Sequence, residues 1–472
     1  MSKRKSGFLR HIAELIIQNK ALSTENEKLS RQNELLLHEL QNYKQMIARL
    51  NAQSLPKKSP ADKSKNVAKY KTATVLFADA QGFQKISTNS DSKMLVDSLD
   101  EIFIQLQNII GKYEIKSLKT IGDTIMCVGG IPKKRLTNPI EVLQAAVEMQ
   151  YYIKDIQRSY FDDKVWKLRI GIHTGPLVAT LKGNKKQIND VKGDTVNMAT
   201  RIRQFCEDGQ ILISANTYEL VKDLFDCEFF GNMPVKYKGD IPLYTVLGIK
   251  AEFSLQQKRI IPNKRFSIRY GLIQFMDLQE IILDKLEKEL PKNLYYHNVK
   301  HTVDVVTQTE LIGLGEGVSD EELLLLKTAA LFHDAGHTVG YDNHEHYGTI
   351  IARQTLPDFY YTQSQIDTIC ELILSTELPP NPKNKLEEIM CDADLDYLGR
   401  SDMIPVSNTL YMELQERNKI KSINDWNRMQ IKFISGHQYF TETARNLREV
   451  NKQMQIERIR NLLPKEADKL IP

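Results

Sequence analysis

The sequence predicts a multidomain chain: an N-terminal parallel coiled coil (1–52), an α/β middle domain (70–250) and an all-α helical bundle (265–472), with linkers at 53–69 and 251–264. Three observations predict it. The first fifty residues carry heptads, the middle alternates strand-like and helix-like runs, and the remainder is almost entirely helical in period.

Leu15, Leu22, Leu29, Leu36, Tyr43 and Leu50 recur every seven residues, and Ile12, Asn19, Asn26, Asn33, Leu40 and Ile47 recur three residues earlier. This is an a/d seam. Asn at three successive a positions favours one register and a parallel two-stranded state, so a homodimer is expected. Residues 53–69 (QSLPKKSPADKSKNVAK) have little to bury and read as a linker. The apolar runs TVLFA (74–78), IMCVGG (125–130), LRIGIH (168–173), ILIS (211–214) and LYTVLGI (243–249) read as strands, with helices near 92–113 and 140–158. EELLLLKTAALFHDAG (321–336) and WNRMQIKFISGHQYFTETARNLREV (426–450) have helical period.

At 472 residues the chain is long enough for about three domains. Lys and Arg number 64 against 60 Asp and Glu, a net charge of +4, so no bulk positive field argues for nucleic acid. Cys127, Cys206, Cys227, Cys370 and Cys391 never form a CxxC pair and fit reduced, cytosolic thiols. No run of 18 apolar residues and no signal peptide is present, so a cytoplasmic chain without a membrane span is expected. His297, His301, His333, His337, His344 and His346 are six of the ten histidines and fall within fifty residues.

In the middle domain Asp79 ends a buried strand beside a glycine turn, and Asp123 sits between a glycine and another apolar strand. Two such carboxylates can share divalent ions on nucleotide phosphates. Singly, each would read as a turn or cap residue. The ordered set FADAQGF (77–83), LKTIGD (118–123), LRIGIHTGPLVAT (168–180), NDVKGDTVNMATRI (189–202) and VKYKGD (235–240) resembles the class III nucleotidyl cyclase catalytic domain, which has a ferredoxin-like α/β fold.

The resemblance implies metal ligands at Asp79, Asp123 and the Ala80 carbonyl, for Mg2+ or Mn2+. It assigns purine recognition to Lys119 and Asp190, ribose orientation to Asn197, charge stabilisation to Arg201 and terminal phosphate contact to Lys236. A Lys donor suits adenine N1 and an Asp acceptor its 6-amino group, so ATP is favoured over GTP. The diguanylate cyclase alternative lacks its signature, because Gly129 and Gly130 are followed by IPKK. The family builds each site across a dimer interface, and this chain carries both half-sets, which agrees with the heptads. Ala80, Gln84 and Thr180 depart from the usual pattern.

In the C-terminal domain, His297 and His301 lie four apart in YYHNVKH, and LFHDAGH places His333 and Asp334 after a buried run. An adjacent His and Asp there is costly to bury unless it binds something. With MCDADLDYLG (390–399), the sequence resembles the HD-domain phosphohydrolase superfamily. That resemblance implies metal ligation by His301, His333, Asp334 and Asp394, with Asp392 the runner-up because DAD offers two frames, and one or two divalent ions of unspecified identity. YHNxxH also resembles the opening motif of cyclic nucleotide phosphodiesterases, which makes His297 the general acid for the leaving 3′ oxygen. His337 and the pair His344–Glu345 resemble extra ligands for a second metal. Gln430 and Phe433 have the spacing of a purine clamp, but QxxF is common on helices and core packing accounts for them better.

The expectation is a bifunctional enzyme of signal transduction that makes cyclic AMP from ATP and hydrolyses a cyclic nucleotide. The alternative keeps the cyclase as the enzyme and makes the HD domain a nucleotide-sensing regulator.

Overall fold

The computed structural model describes residues 67–81, 92–121, 124–159, 167–182, 187–235, 239–255 and 259–464. The heptad segment and most of the first linker lie outside them. Asn66–Pro472 cluster as one compact unit.

Among the described residues eight strands form one mixed sheet: β1 (Val67–Gln81), β2 (Lys116–Ile121), β3 (Thr124–Gly129), β4 (Lys167–Lys182), β5 (Gln187–Lys192), β6 (Ile211–Ser214), β7 (Phe225–Val235) and β8 (Gly239–Ile249). Their order is β2-β3-β1-β4-β6-β8-β7, with β5 paired to β4. The β4–β6 pair is parallel and the other pairs are antiparallel. Helices α1 (Ser92–Lys112), α2 (Asn138–Ser159) and α4 (Ala215–Val221) contribute Leu106, Leu143 and Val221 to a core shared with Leu76, Ala78, Ile125 and Ile170. The opposite face buries Val75, Val128 and Leu177 with Ala199 of α3 (Asp194–Phe205). Both faces of β1 are therefore covered, which is why TVLFA is continuously apolar instead of alternating.

The C-terminal region is helical: α5 (Lys264–Glu289), α6 (Val299–Gly315), α7 (Asp320–Phe332), α8 (His344–Thr355), α9 (Gln363–Leu374), α10 (Lys385–Asp394), α11 (Met403–Glu416), α12 (Ile423–Gly436) and α13 (Glu442–Arg460). Ser319 and Glu322 form a capping box that starts α7. The core gathers Leu278, Ile282, Val305, Leu326, Ala330, Ile369 and Ile389. The helical period across 426–450 divides into α12 and α13, because the chain turns at His437–Thr441 and Thr441 caps the second helix. The described residues of the junction are tied in on both sides: Phe253 joins the core beneath the sheet, and Ser254 bridges to Pro262.

Candidate functional sites

Asp79 lies near the end of β1, opposite Thr124 of β3 and Arg169 of β4, and is 9% exposed. Thr124 Oγ1 donates to Asp79 Oδ1 at 3.3 Å, and Arg203 Nη1 lies 3.5 Å from Asp79 Oδ2 while donating to Thr124 Oγ1 at 2.9 Å. Sequence reasoning missed Arg203. It stands two residues beyond Arg201, and on a helix that spacing turns the two side chains to different faces. Asn197 and Arg201, four apart on α3, are both exposed. The helix lies directly on β4 because a Cβ at Gly171 would come within 2.2 Å of the Arg203 backbone nitrogen. Thr195 Oγ1, donating to the Pro176 carbonyl at 2.6 Å, pins its first turn.

Asp190 is on β5, opposite Thr180, and its Oδ1 accepts from the Val191 amide at 3.0 Å. Asp79 faces position 169 and Asp190 faces position 180 of the same strand. At about 3.3 Å per residue the separation along β4 is roughly 36 Å of extended chain. The two carboxylates are thus presented toward opposite ends of β4. Lys119 pairs with Met126 in the β2–β3 ladder. Its side chain, Asp123 and Lys236 lie outside the described residues. The Asp79 carboxylate and the Ala80 carbonyl are hard oxygen donors of the kind Mg2+ takes.

In the helical region four elements converge. Asn298 caps α6, accepting from the Lys300 and His301 amides at 2.9 and 3.2 Å, so the Asn of YHNxxH sets the helix that presents His301. α7 ends at Phe332 and delivers His333 and Asp334. The short turn Ala335–Thr338 then brings His337 back, and a Cβ at Gly336 would lie 1.9 Å from the His344 carbonyl oxygen, so only glycine lets α8 start there. α10 ends at Asp394.

His301 Nε2 lies 3.1 Å from Asp394 Oδ1 and 3.4 Å from Asp334 Oδ2, and His333 Nε2 lies 3.2 Å from Asp334 Oδ2 and 3.5 Å from Asp394 Oδ1. His333 Nδ1 is 2.8 Å from the Ala330 carbonyl, which fixes its N–H there and leaves Nε2 facing the centre. Ligand atoms of His301, His333 and Asp394 lie within 4.8 Å of one another, and so do those of His297, Asp334 and His337. His344 Nε2 is 3.3 Å from Asp334 Oδ1, and its ring stacks on His337 at 3.9 Å between centroids.

Burial opposes a charge on His333, but the carboxylates of Asp334 and Asp394 outweigh it and hold the imidazole well above its usual range. Burial likewise works against ionised Asp334 and Asp394, and the surrounding histidines overcome it, bringing Asp334 far down. Burial pushes His337 down to about 3, so its ring is neutral. Both His337 ring nitrogens and Asp334 Oδ2 are buried without a hydrogen-bond partner. Converging imidazoles, ionised carboxylates and orphaned polar atoms around one point fit a divalent cation, which would take the place of the proton that the carboxylates otherwise hold on His333.

Glu413 of α11 was missed by sequence reasoning and is fully buried beside the cluster. Its Oε1 lies 2.6 Å from His297 Nδ1, and its Oε2 accepts from the Tyr296 and His297 amides at 3.0 and 3.3 Å. A lone Glu in a polar stretch of helix, 116 residues from His297, carries no local sequence signal. Asp392 faces elsewhere: its oxygens accept from the Phe440 and Thr441 amides and from Thr441 Oγ1 at 2.7–3.1 Å. Gln430 is buried and donates to Asn427 at 3.4 Å. A cavity of about 350 Å³ adjoins the centre, lined in part by Tyr296, His301, Gln308, Tyr397 and Arg400.

Residues 66–248 match the family model of the adenylate and guanylate cyclase catalytic domain, and residues 298–396 match that of the HD domain. The two matches lie in one chain, the cyclase domain first and the HD domain after it. An adenylate cyclase of Mycobacterium tuberculosis is 31% identical over 182 residues, which cover 39% of this chain and 41% of the relative. A receptor-type guanylate cyclase of Caenorhabditis elegans is 32% identical over 189 residues, covering 39% of this chain and 16% of the relative. The crystal structure of the adenylyl cyclase CyaB from P. aeruginosa, 26% identical, covers 38% of this chain and 95% of its own, with a TM-score of 0.35. The chain spans about two fifths of the length of the first curated relatives it matches. No helix among the described residues is long and apolar enough to cross a membrane.

Proposed function

We propose that the chain is a bifunctional cyclic nucleotide enzyme: an adenylate cyclase that converts ATP to cyclic AMP and pyrophosphate, joined to an HD phosphodiesterase that opens a cyclic nucleotide. The observation that carries the cyclase half is the ordered set of family residues on one mixed sheet, with Asp79 and Asp190 toward opposite ends of β4. That arrangement favours a site completed by a second copy, in which Asp79, Ala80 and Asp123 of one protomer face Lys119, Asp190, Asn197, Arg201 and Lys236 of the other. Catalysis is alignment of the ribose 3′ oxygen with the α-phosphorus, plus neutralisation of charge. Relatives include both adenylate and guanylate cyclases, so the Lys119–Asp190 pair, a donor and an acceptor matched to adenine, supports ATP.

For the HD half, a divalent cation held by His301, His333, Asp334 and Asp394 would polarise the phosphoryl oxygens and acidify a water. His337 and His344 are placed to serve a second ion. The chain's own contribution is the proton: water adds to phosphorus and loses a proton to solvent, the P–O3′ bond breaks, the leaving oxygen takes a proton from Nε2 of His297, whose Nδ1 is held by Glu413, and solvent returns a proton to the ring. The alternative, an HD domain that senses a nucleotide without hydrolysing it, predicts binding without turnover.

The test is purified full chain with ATP and Mg2+ or Mn2+, and separately with cyclic AMP, for wild type, Asp79→Ala and Asp334→Ala. Loss of cyclic AMP formation in Asp79→Ala and of cyclic AMP hydrolysis in Asp334→Ala supports the reading. No cyclic AMP from wild type sinks the cyclase half, and hydrolysis unchanged in Asp334→Ala sinks the other.

A further inference from the structure

One helix belongs to two cores. Phe266, Tyr270 and Ile273 of α5 pack into the core beneath the cyclase sheet, where Phe266 meets Phe225 edge to face at 6.2 Å. Phe275, Leu278, Ile282 and Leu286 of the same helix pack into the HD core with Leu324, Leu325 and Phe332 of α7. The helix has 26 residues, about 39 Å at 1.5 Å per residue. No loop intervenes between its two halves, so a displacement of one end is imposed on the other.

Polar contacts lock the helix to the segment that follows β3. Asp277, buried, accepts the Leu136 amide through both oxygens at 2.8 and 3.0 Å. Tyr270 Oη donates to Glu141 Oε1 at 2.7 Å, and Thr137 Oγ1 donates to the same oxygen at 2.9 Å. Arg135 lies 3.0 Å from Glu114 and 3.8 Å from Glu141, and its guanidinium sits 5.7 Å from the ring of Tyr360. β3 is six residues long: the clasp is at one end and Thr124, bonded to Asp79, is at the other. On the HD side, α7 packs on α5 and passes directly into His333–Asp334, and Tyr360 follows the turn at the end of α8, whose first residue is His344.

We propose that α5 couples the two active centres: occupation of the HD centre shifts α7 and α8, and the clasp of Asp277, Tyr270 and Arg135 passes that shift through β3 to Asp79. The coupling rests on the proposed cyclase and HD activities but has its own readout. Buried, directional contacts on a rigid helix have discrete arrangements, which is what carries a shift between distant sites.

The experiment is a double-mutant cycle in the full chain with excess Mn2+, crossing the HD variant Asp394→Asn with the clasp variants Tyr270→Phe and Asp277→Asn. Amide hydrogen exchange at 131–141 and the rate of cyclic AMP formation are both read. Asp394→Asn changes both, the rate by about fivefold, and in either clasp background the change falls below about twofold. Tyr270→Phe removes a single hydroxyl, so it remains informative if Asp277→Asn unfolds. Equal effects of Asp394→Asn with and without the clasp, or no effect on exchange at 131–141, overturn the proposal. A wild type that makes no cyclic AMP defeats the cyclase reading alone, because the exchange cycle still decides the coupling.

Discussion

Glu413 holds His297. The 2.6 Å contact between Oε1 and Nδ1, with the two backbone amides on Oε2, fixes the ring so that its other nitrogen is the one left to exchange a proton. The His297 contacts and the backbone amides overcome burial and keep the carboxylate ionised. Glu413→Gln retains the shape and removes the charge. It is expected to lower kcat for cyclic AMP hydrolysis about 10- to 100-fold with KM within about twofold. A variant with wild-type kcat would show that His297 needs no orienting carboxylate.

The DAD motif separates two roles. Asp392 satisfies three donors at the turn before α13, and Asp394 faces the histidines. Asp392→Ala strands those donors and is expected to destabilise the chain by about 1–3 kcal/mol while bound Mn2+, counted per folded chain, is retained. Asp394→Ala is expected to lose the metal. Equal metal loss in both, measured by elemental analysis after gel filtration, would contradict this division.

Asp277 gives a pH test. Burial raises its pKa from 3.8 to about 6, with Glu280 and Glu141 adding to the effect and the Leu136 and Thr137 amides opposing it. A folded pKa above the unfolded one means stability that is fully present below about pH 4 and is lost as pH rises through about 6. Asp277→Asn removes that loss and keeps an acceptor for the Leu136 amide. Between pH 4 and 7 the wild-type Tm is expected to fall relative to the variant. A difference in Tm that does not change over that range would contradict the assignment.

Shared cyclase sites can be tested by mixing subunits. Asp79→Ala and Arg201→Ala are each expected to be inactive. Refolded together at equal amounts, half the dimers pair one of each and carry one intact site of two, so activity is expected to recover to about a quarter of wild type. Recovery of none would show that both residues act within one chain.

How far the sequence disclosed these sites depends on locality. The strands TVLFA and IMCVGG and the helix ending in LFHDAGH were legible because burial on both faces, or a cap followed by an apolar run, writes itself into adjacent residues. β2, β5 and β7 were not read, being short or broken in alternation, as in FDCEFFGNMPV. The HD residues were legible from the adjacent His and Asp and the i, i+4 pair, whereas Glu413, Arg203 and the Asp277 clasp act across the fold and leave no spacing to detect. The junction at 251–264 read as a linker from its polar residues, yet Phe253 seats it in the core and α5 continues it into both domains.

The most direct measurement follows one reaction in one vessel: purified full chain with ATP and Mn2+, sampled over time and resolved by chromatography. The account predicts that cyclic AMP and pyrophosphate appear first and that cyclic AMP then gives way to 5′-AMP, with Asp334→Ala stopping at cyclic AMP. ATP consumed without cyclic AMP at any time, or cyclic AMP that accumulates equally in wild type and Asp334→Ala, would contradict it.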